Sequence, residues 1–381
     1  MPPYDNLMEA SLYLHIPFCA GVCDYCDFYS VPVLPEDPRL DVFTTTLLRD
    51  VRERLARFGV NLVPTMYLGG GTPSILGAAR IRNLLDGLKA ILPAWPGEVT
   101  IEANPESADE AFLIACLEGG VSRVSLGVQT FHEVSRRMVR RVGEEKFLKE
   151  RLSLVSSLFQ GAFSADLISG LPGQSEKILL EDIKSLLTFN PAHVSLYALT
   201  ADPRLPGSPP DDEADRLWLL GRDILEGAGY TQYEVSSFAH QGKRALHNIR
   251  YWRMENWLGE GPSASGTIMD GAGGTGWRYT VKADIDAYLT RRDLRGDRES
   301  AEFLEKSILI KESFLMGFRY LDGPDIELFT ARFGKGPEAF IPETAARWRK
   351  RGLFETEKTA LTREGLPLLN FFLLEAFAEL G

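Results

Sequence analysis

Over its first two thirds the chain alternates short, β-branched apolar runs with longer stretches whose apolar positions recur at helical spacing. The runs predict strands at Ser11–Ile16, Thr65–Leu68, Glu98–Glu102, Arg123–Gly127, Ala162–Leu167 and His193–Tyr197. The amphipathic stretches between them predict helices over Phe43–Arg57, Ser74–Leu92, Ala108–Leu117, Glu145–Leu158 and Glu176–Thr188. Regular alternation of strand and helix implies a parallel sheet with right-handed crossovers. Six units are two short of a closed eightfold barrel. The expected fold is therefore α/β, a partial (β/α)6 TIM-like barrel, with functional side chains at the C-terminal ends of its strands.

The pattern breaks at the Gly/Pro-rich stretch Asp202–Pro210. A helix at Asp212–Ala228 and a strand at Tyr230–Ser236 are expected next. Ala239–Gly276 is rich in Gly, His and aromatics and is less regular. Beyond about Asp297 the pattern turns helical, over Glu302–Phe318, Asp325–Phe333 and Pro342–Lys350. Leu353–Thr356, Thr359–Thr362 and a last helix Glu364–Leu380 suggest a winged-helix-like unit. The expected division is 1–237 for the barrel, 238–296 for the Gly/aromatic-rich segment and 297–381 for the C-terminal helical unit.

Composition narrows the classes. The chain is 44% hydrophobic and 25% charged, ordinary for a globular protein. Its net charge of −11 argues against nonspecific binding to nucleic acid or acidic membrane, which needs a positive field. No apolar run approaches the roughly 18 residues of a membrane span. The start, Met1-Pro2-Pro3-Tyr4-Asp5, shows no export signal. Four cysteines are too few for a disulfide scaffold, and three lie within eight residues. That clustering points to metal binding in a reducing compartment, hence the cytoplasm.

The first strand runs into His15-Ile16-Pro17-Phe18-Cys19, and Cys23 and Cys26 follow with C-x3-C-x2-C spacing. Soft thiolates suit an iron–sulfur cluster or zinc. No fourth local ligand follows in Asp27, Phe28, Tyr29 or Ser30, so zinc would have to recruit His15 or a remote residue. Three ligands on a cubane leave one iron open. Cys116, on an apolar helix face, reads as a buried small hydrophobe. Later strands also end in unusual residues. In Gly69-Gly70-Gly71-Thr72-Pro73-Ser74 the glycines allow close backbone approach and expose amides, and Ser74 could cap the next helix. Glu102, in Glu102-Ala103-Asn104-Pro105, can accept from an ammonium or ribose hydroxyls. Gln129 ends the fourth strand, and Arg141, or alternatively Arg140, offers a fork to a carboxylate. Asp166 sits among apolar neighbours, where an unpartnered charge is costly.

The cysteine spacing with Tyr25 before the third ligand resembles the radical S-adenosylmethionine (SAM) superfamily. The resemblance implies a [4Fe–4S] cluster on Cys19, Cys23 and Cys26, whose open iron binds the amino and carboxylate groups of SAM. One electron from the cluster would then cleave the sulfonium. The longer pieces HIPFCxxxCxYCDF, LGGGTPS, Glu-x-Asn-Pro, GVQ-x-F and DLISGLPGQ are similar to the coproporphyrinogen-oxidase-like branch, and the likeness extends over nearly the whole chain. It implies that Tyr13, Gly70 and Glu102 contact the SAM on the cluster. Tyr25, Gly71, Thr72, Gln129, Arg141 and Asp166 match positions that contact a second SAM in the oxidase. No catalytic side chain is assigned.

Within that branch two groups diverge. The oxidase carries a fourth cysteine two residues after the third ligand and a longer N-terminal arm; here Phe28 stands at that position and ten residues precede the first strand. His247-Asn248-Ile249-Arg250-Tyr251-Trp252 is similar to the HNxxYW string of HemW-type heme chaperones, whose histidine is implicated in heme binding. Tyr233–Ala239 fits the same group. A neutral imidazole is a common axial ligand of heme iron, and Tyr251 and Trp252 offer flat apolar faces. The resemblance implies a cytoplasmic protein with cluster, SAM and heme as cofactors. Its partners would be an unknown heme acceptor, which could be membrane-associated, and an electron donor of flavodoxin or ferredoxin type. Nucleic acid is not expected as a partner. There are departures: Arg140-Arg141-Val142-Gly143 lacks the usual Gly-Arg-x-His, Gly259–Ser265 lacks a terminal histidine, and the loop after Tyr197–Thr200 lacks Glu-Pro-Gly-Thr. The alternatives are oxygen-independent coproporphyrinogen III oxidation and, as a non-catalytic reading, a zinc-stabilised interaction protein.

Overall fold

The computed structural model describes residues 8–141, 144–199, 205–270, 273–290 and 299–381. The expectations at the N-terminal start, at Val142–Gly143, at Thr200 and 202–204, and at the 296/297 boundary lie outside the described residues.

Six parallel strands form the centre: β1 (Ser11–Ile16), β2 (Thr65–Gly70), β3 (Glu98–Ala103), β4 (Arg123–Gln129), β5 (Phe163–Ser169) and β6 (His193–Ala198). They pair in chain order, β1 to β6, with a helix in each crossover. Strand residues alternate between faces. Leu12, Leu14, Met66, Leu68, Val99, Ile101, Val124 and Leu126 are fully buried in the main core with the helices. The intervening positions carry the polar residues, including Tyr13, Tyr67, Glu102, Ser125 and Asp166. Residues before the helices set their starts: Asp109 and Ser175 accept from backbone amides in the first turns of Glu110–Glu118 and Glu176–Leu187. Helix Arg39–Phe58 stops at Gly59, whose φ of 62° is the left-handed conformation of a helix end.

The sheet is open and extends beyond six strands. The remaining members are β7 (Thr231–Gln232), β8 (Ser237–Ala239), β9 (Trp257–Glu260), β10 (Ser265–Met269), β11 (Gly276–Val281) and β12 (Glu299–Leu304). The order is β7-β8-β6-β5-β4-β3-β2-β1-β9-β10-β11-β12. β9 pairs parallel to β1, and β10 to β12 continue antiparallel. The 239–276 stretch is thus more regular than its composition suggests: it supplies helix Leu246–Trp252 and strands β9 and β10. The helix expected from Glu302 begins at Lys306 instead, because 299–304 pairs along the whole of β11 and sets Phe303 against Trp277, centroids 5.2 Å apart. The strand expected over Tyr230–Ser236 is cut short at Gln232. There Glu234 accepts from the Ser236 amide and turns the chain back.

The second core is C-terminal and helical, built on Phe314, Phe318, Trp348 and Phe372. Its only strand-like pairing among the described residues after β12 and the Glu234–Tyr320 bridge is a single antiparallel bridge, Phe354 to Leu361. The last helix starts at Leu369, after a tight turn at Leu366–Leu368. Among the described residues no helix is long and apolar enough to cross a membrane.

One buried ionic cluster ties the added edge of the sheet to the first helix. Arg54, with no side-chain exposure, meets the fully buried Glu260 of β9 and donates to Glu299 of β12 at 2.8 Å. Its guanidinium lies 3.9 Å from the ring centre of Tyr279 on β11. Burial works against its charge, but Tyr279, Glu260 and Glu299 more than offset this and hold its pKa above the ordinary value.

Candidate functional site

The C-terminal ends of β1 to β6 open into a cavity of about 770 Å3. Cys19, Cys23 and Cys26 form one wall of it, together with Tyr25, Gly70, Gly71, Thr72, Glu102, Gln129, Arg141 and Asp166. Eleven residues singled out by sequence therefore meet in one place. Tyr13 is not among the cavity-lining residues: its hydroxyl is 2.9 Å from His15 Nδ1. Cys116 is fully buried in the core and lies apart.

The cysteine loop is held from both sides. Phe18–Cys19 pairs with Val31–Pro32, closing the loop's base. His15 Nε2 donates to the Tyr29 carbonyl, which leaves Nδ1 to accept from Tyr13. Burial lowers the His15 pKa and keeps the ring neutral. Thr72 Oγ1 approaches Cys19 Sγ at 3.4 Å, and Arg141 Nη1 lies 3.9 Å from Cys23 Sγ.

The glycines serve packing as much as ligand approach. A Cβ on Gly71 would stand 2.7 Å from the Phe18 carbonyl oxygen, and one on Gly70, at φ 104°, 2.3 Å from His15 Nδ1. The expectation that the loop exposes its amides is corrected. Gly70 N donates to Glu102, Gly71 N to Ile16 O and Thr72 N to Phe18 O. Ser74 does not cap a helix either: its hydroxyl pairs with Ser107 at 2.6 Å and accepts from Asn104 N, tying the second strand end to the third.

Glu102 accepts from Tyr67 Oη at 2.7 Å and from Gly70 N at 3.0 Å. Burial pushes its carboxyl up to about 7, with Asp166 adding to the rise and the two donors opposing it. Burial likewise pushes Asp166 up to about 6, against the hydroxyls of Ser195 and Ser125 and the Arg141 charge. Gln129 has φ 68°, at the irregularity where β4 slips against β5, so its side chain is re-aimed at the strand end. Its Oε1 is buried with no partner, as is Arg141 Nε. Buried polar atoms are normally satisfied, so these two fit a cavity built for a polar ligand. Arg141 is the arginine that faces it, held by Asn104 Oδ1 and the Gly127 carbonyl at 2.7 and 2.6 Å. Arg140 is 75% exposed and pairs with Asp24. Arg136 is buried and donates to the Val128 and Thr130 carbonyls.

The donor set fits the expected group. Three soft sulfurs sit on one loop beside a cavity onto which Glu102, Gln129, Arg141 and Asp166 converge. Among the described residues, no three His, Cys, Asp or Glu converge as one ion requires. A cubane, which spreads its ligands over separate corners, suits this arrangement better than a mononuclear zinc.

His247 lies elsewhere, at the N-terminal ends of the strands, 1% exposed. Its Nδ1 is 2.9 Å from Thr65 Oγ1, which itself donates to Ser11, so Nδ1 carries the proton. Nε2 is left as a buried lone pair with no partner. Burial, with Arg250 nearby, lowers the imidazole pKa to about 3, so the ring is neutral. Its helix is clamped from below the sheet. Glu98 accepts from the Leu246 and His247 amides, and Arg123 donates to the Lys243 and Arg244 carbonyls.

Sequence reasoning missed Tyr67 and Asn104 as site residues. Asn104 stood inside a quoted motif, where its amide now links Thr72 to Arg141. Tyr67 had only a positional signal, two residues before the glycines on the polar face of β2.

The chain matches the radical SAM superfamily model over residues 13–186. It is 34% identical to the heme chaperone HemW of Escherichia coli (strain K12) over 380 residues, 98% of this chain and 99% of that one. It is 29% identical to heme chaperone HemW of Bacillus subtilis (strain 168), over 94% and 97% of the two chains. A mouse relative, radical S-adenosyl methionine domain-containing protein 1, mitochondrial, is 34% identical over 83% of this chain and 74% of its own. Among solved structures, coproporphyrinogen III oxidase (HemN) from Escherichia coli superimposes with a TM-score of 0.80. It covers 97% of this chain and 90% of its own at 21% identity, a likeness of fold. With three cysteines at the mouth of an open parallel sheet and identity running from end to end, the chain belongs to the HemW family of the radical SAM superfamily.

Proposed function

We propose that this protein is a cytoplasmic heme chaperone that binds heme and passes it to an acceptor protein, using a [4Fe–4S] cluster and SAM. The observation that carries the reading is end-to-end identity to the Escherichia coli heme chaperone, joined to Phe28 where the oxidase has its fourth cysteine. When bound, the cluster would supply single electrons and an open iron for the amino and carboxylate groups of SAM. Cys19, Cys23 and Cys26 would hold it. Glu102 would accept from the N–H groups of the SAM amine or from its ribose hydroxyls, and Arg141, already locked by Asn104 and Gly127, would present a fixed positive charge. Electrons would come from a flavodoxin- or ferredoxin-type donor.

For heme we assign His247, whose unprotonated Nε2 has the chemistry of an axial ligand. That atom is buried, on a ring packed against those of Tyr67 and Tyr251. Heme loading therefore requires the helix to leave Glu98, and Arg250 to leave Ser11 and Glu9.

The test is anaerobic reconstitution followed by parallel assays of heme binding and coproporphyrinogen III turnover. Heme is expected to bind, and no protoporphyrinogen IX should form even with SAM and reductant present. His247→Ala should shift the heme absorption spectrum as well as lower occupancy, because an axial ligand tunes the iron directly. Robust decarboxylation by the wild type would overturn the chaperone reading in favour of the enzyme.

A further inference from the structure

Two sites at opposite ends of the strands are joined through one side chain. Tyr67 lies midway along β2 on the polar face. At one end its hydroxyl donates to Glu102 Oε1 at 2.7 Å, and Glu102 lines the cysteine cavity. Its ring is tilted 33° to His247, centroids 5.3 Å apart. His247 is backed in turn by Tyr251 at 5.0 Å and anchored by Thr65. The tyrosine therefore has its polar tip on the cavity acid and its flat face on the HNxxYW helix. The apolar side of β2 is occupied by Met66 and Leu68, which pack in the main core.

We propose that Tyr67 is a positioning residue for SAM binding. It transmits the placement of the His247 helix to Glu102, so that whatever takes hold of His247 changes how tightly the cavity holds SAM. The first half rests on the cavity being the SAM site. The second rests also on heme binding at His247. When helix 246–252 leaves, the ring loses its support and the hydroxyl is no longer held on the carboxylate. A donor to an ionised carboxylate favours the ionised form, and that form is the stronger acceptor for the N–H and O–H groups of SAM. The groups facing Glu102 are Tyr67 and the Gly70 amide on β2, Asp166 on β5, Tyr13 on β1 and Tyr197 on β6. Of these, Tyr67 lays its ring on His247 of the helix.

The test is SAM binding by calorimetry to anaerobically reconstituted full-length protein, from pH 6 to 8, first without heme. Glu102 ionises at about 7, so wild-type affinity should fall as pH drops through that value. Tyr67→Phe is expected to weaken SAM on the order of tenfold at pH 7. It should also move the fall to higher pH, because the carboxylate has lost a donor that favoured its charge; a general loss of structure would not move this midpoint. His247→Ala should weaken SAM severalfold in the wild type and add little in the Tyr67→Phe background. His247→Gln, which keeps a hydrogen-bonding group without the ring, should behave alike and covers the case in which the alanine variant fails to fold. An unchanged pH midpoint in Tyr67→Phe, or losses that simply add, would overturn the proposal.

With heme added, SAM affinity should drop in the wild type, SAM should weaken heme by the same factor, and Tyr67→Phe should bring that factor near one. If the heme-free variants behave as expected but heme leaves SAM affinity untouched, heme binding at His247 fails and the positioning role of Tyr67 stands. Equal heme effects in wild type and Tyr67→Phe would overturn the transmission through Tyr67.

Discussion

Cys19→Ala, Cys23→Ala and Cys26→Ala are each expected to abolish the cluster, while Cys116→Ala keeps about four irons and four sulfides per chain after anaerobic reconstitution. The three cavity cysteines lie on one loop whose base is fixed by the 18–19 and 31–32 pairing, so each is poised as a ligand. Removing one leaves two sulfurs and no neighbouring thiol to replace it. Cys116 is sealed in the core, and burial raises its thiol pKa well above the ordinary range, the opposite of what a ligand thiolate needs. Iron and acid-labile sulfide analysis with the visible spectrum reads the result. Loss of the cluster in Cys116→Ala would defeat the three-ligand model.

Arg54→Ala should lower the free energy of unfolding by about 3–5 kcal/mol, because it strips a buried carboxylate of its guanidinium. Glu260 has no side-chain exposure and meets Arg54 in the core; Glu299, also held by Arg57, is more open. The Tyr279 ring loses its cation as well. Replacing Arg54 and Glu260 together by methionine should recover much of the loss, since an apolar pair needs no desolvated charge. Urea unfolding of the cluster-free protein measures both. A loss below about 1 kcal/mol for Arg54→Ala would mean that the cluster of charges contributes little.

The central sheet was legible in sequence because every one of its six strands carries a local signal. Their apolar positions face a continuous helical layer, and Ser11–Ile16 and helix Glu145–Leu158 match their expected bounds. The cysteine spacing and the residues at successive strand ends were legible for the same reason: parallel topology converts regular spacing along the chain into adjacency in space. What failed was decided by distant partners. Residues 299–304 are mostly exposed and polar, and they become a strand only because β11 offers an open edge. The glycines of 69–71 suggested free amides, but the Ile16 and Phe18 carbonyls and Glu102 take them. Tyr67 and Arg123 carry no motif. Their roles come from what the sheet stacks above and below them.

The neighbours of β1 arrive at very different times during synthesis. Its partner β2 begins at Thr65, whereas β9, on its other side, begins at Trp257. Ribosomes add roughly 5–20 residues per second, so about 12–48 s separate the emergence of Ile16 from that of Trp257. During that interval the strand leading into the cysteines has one unpaired edge, and Gly261, whose Cβ would strike the His15 carbonyl, has not yet packed against it. Until Trp257 emerges, the strand leading into the cysteines therefore stays open along that edge, and the cysteine loop relies on its own 18–19 and 31–32 pairing for its shape.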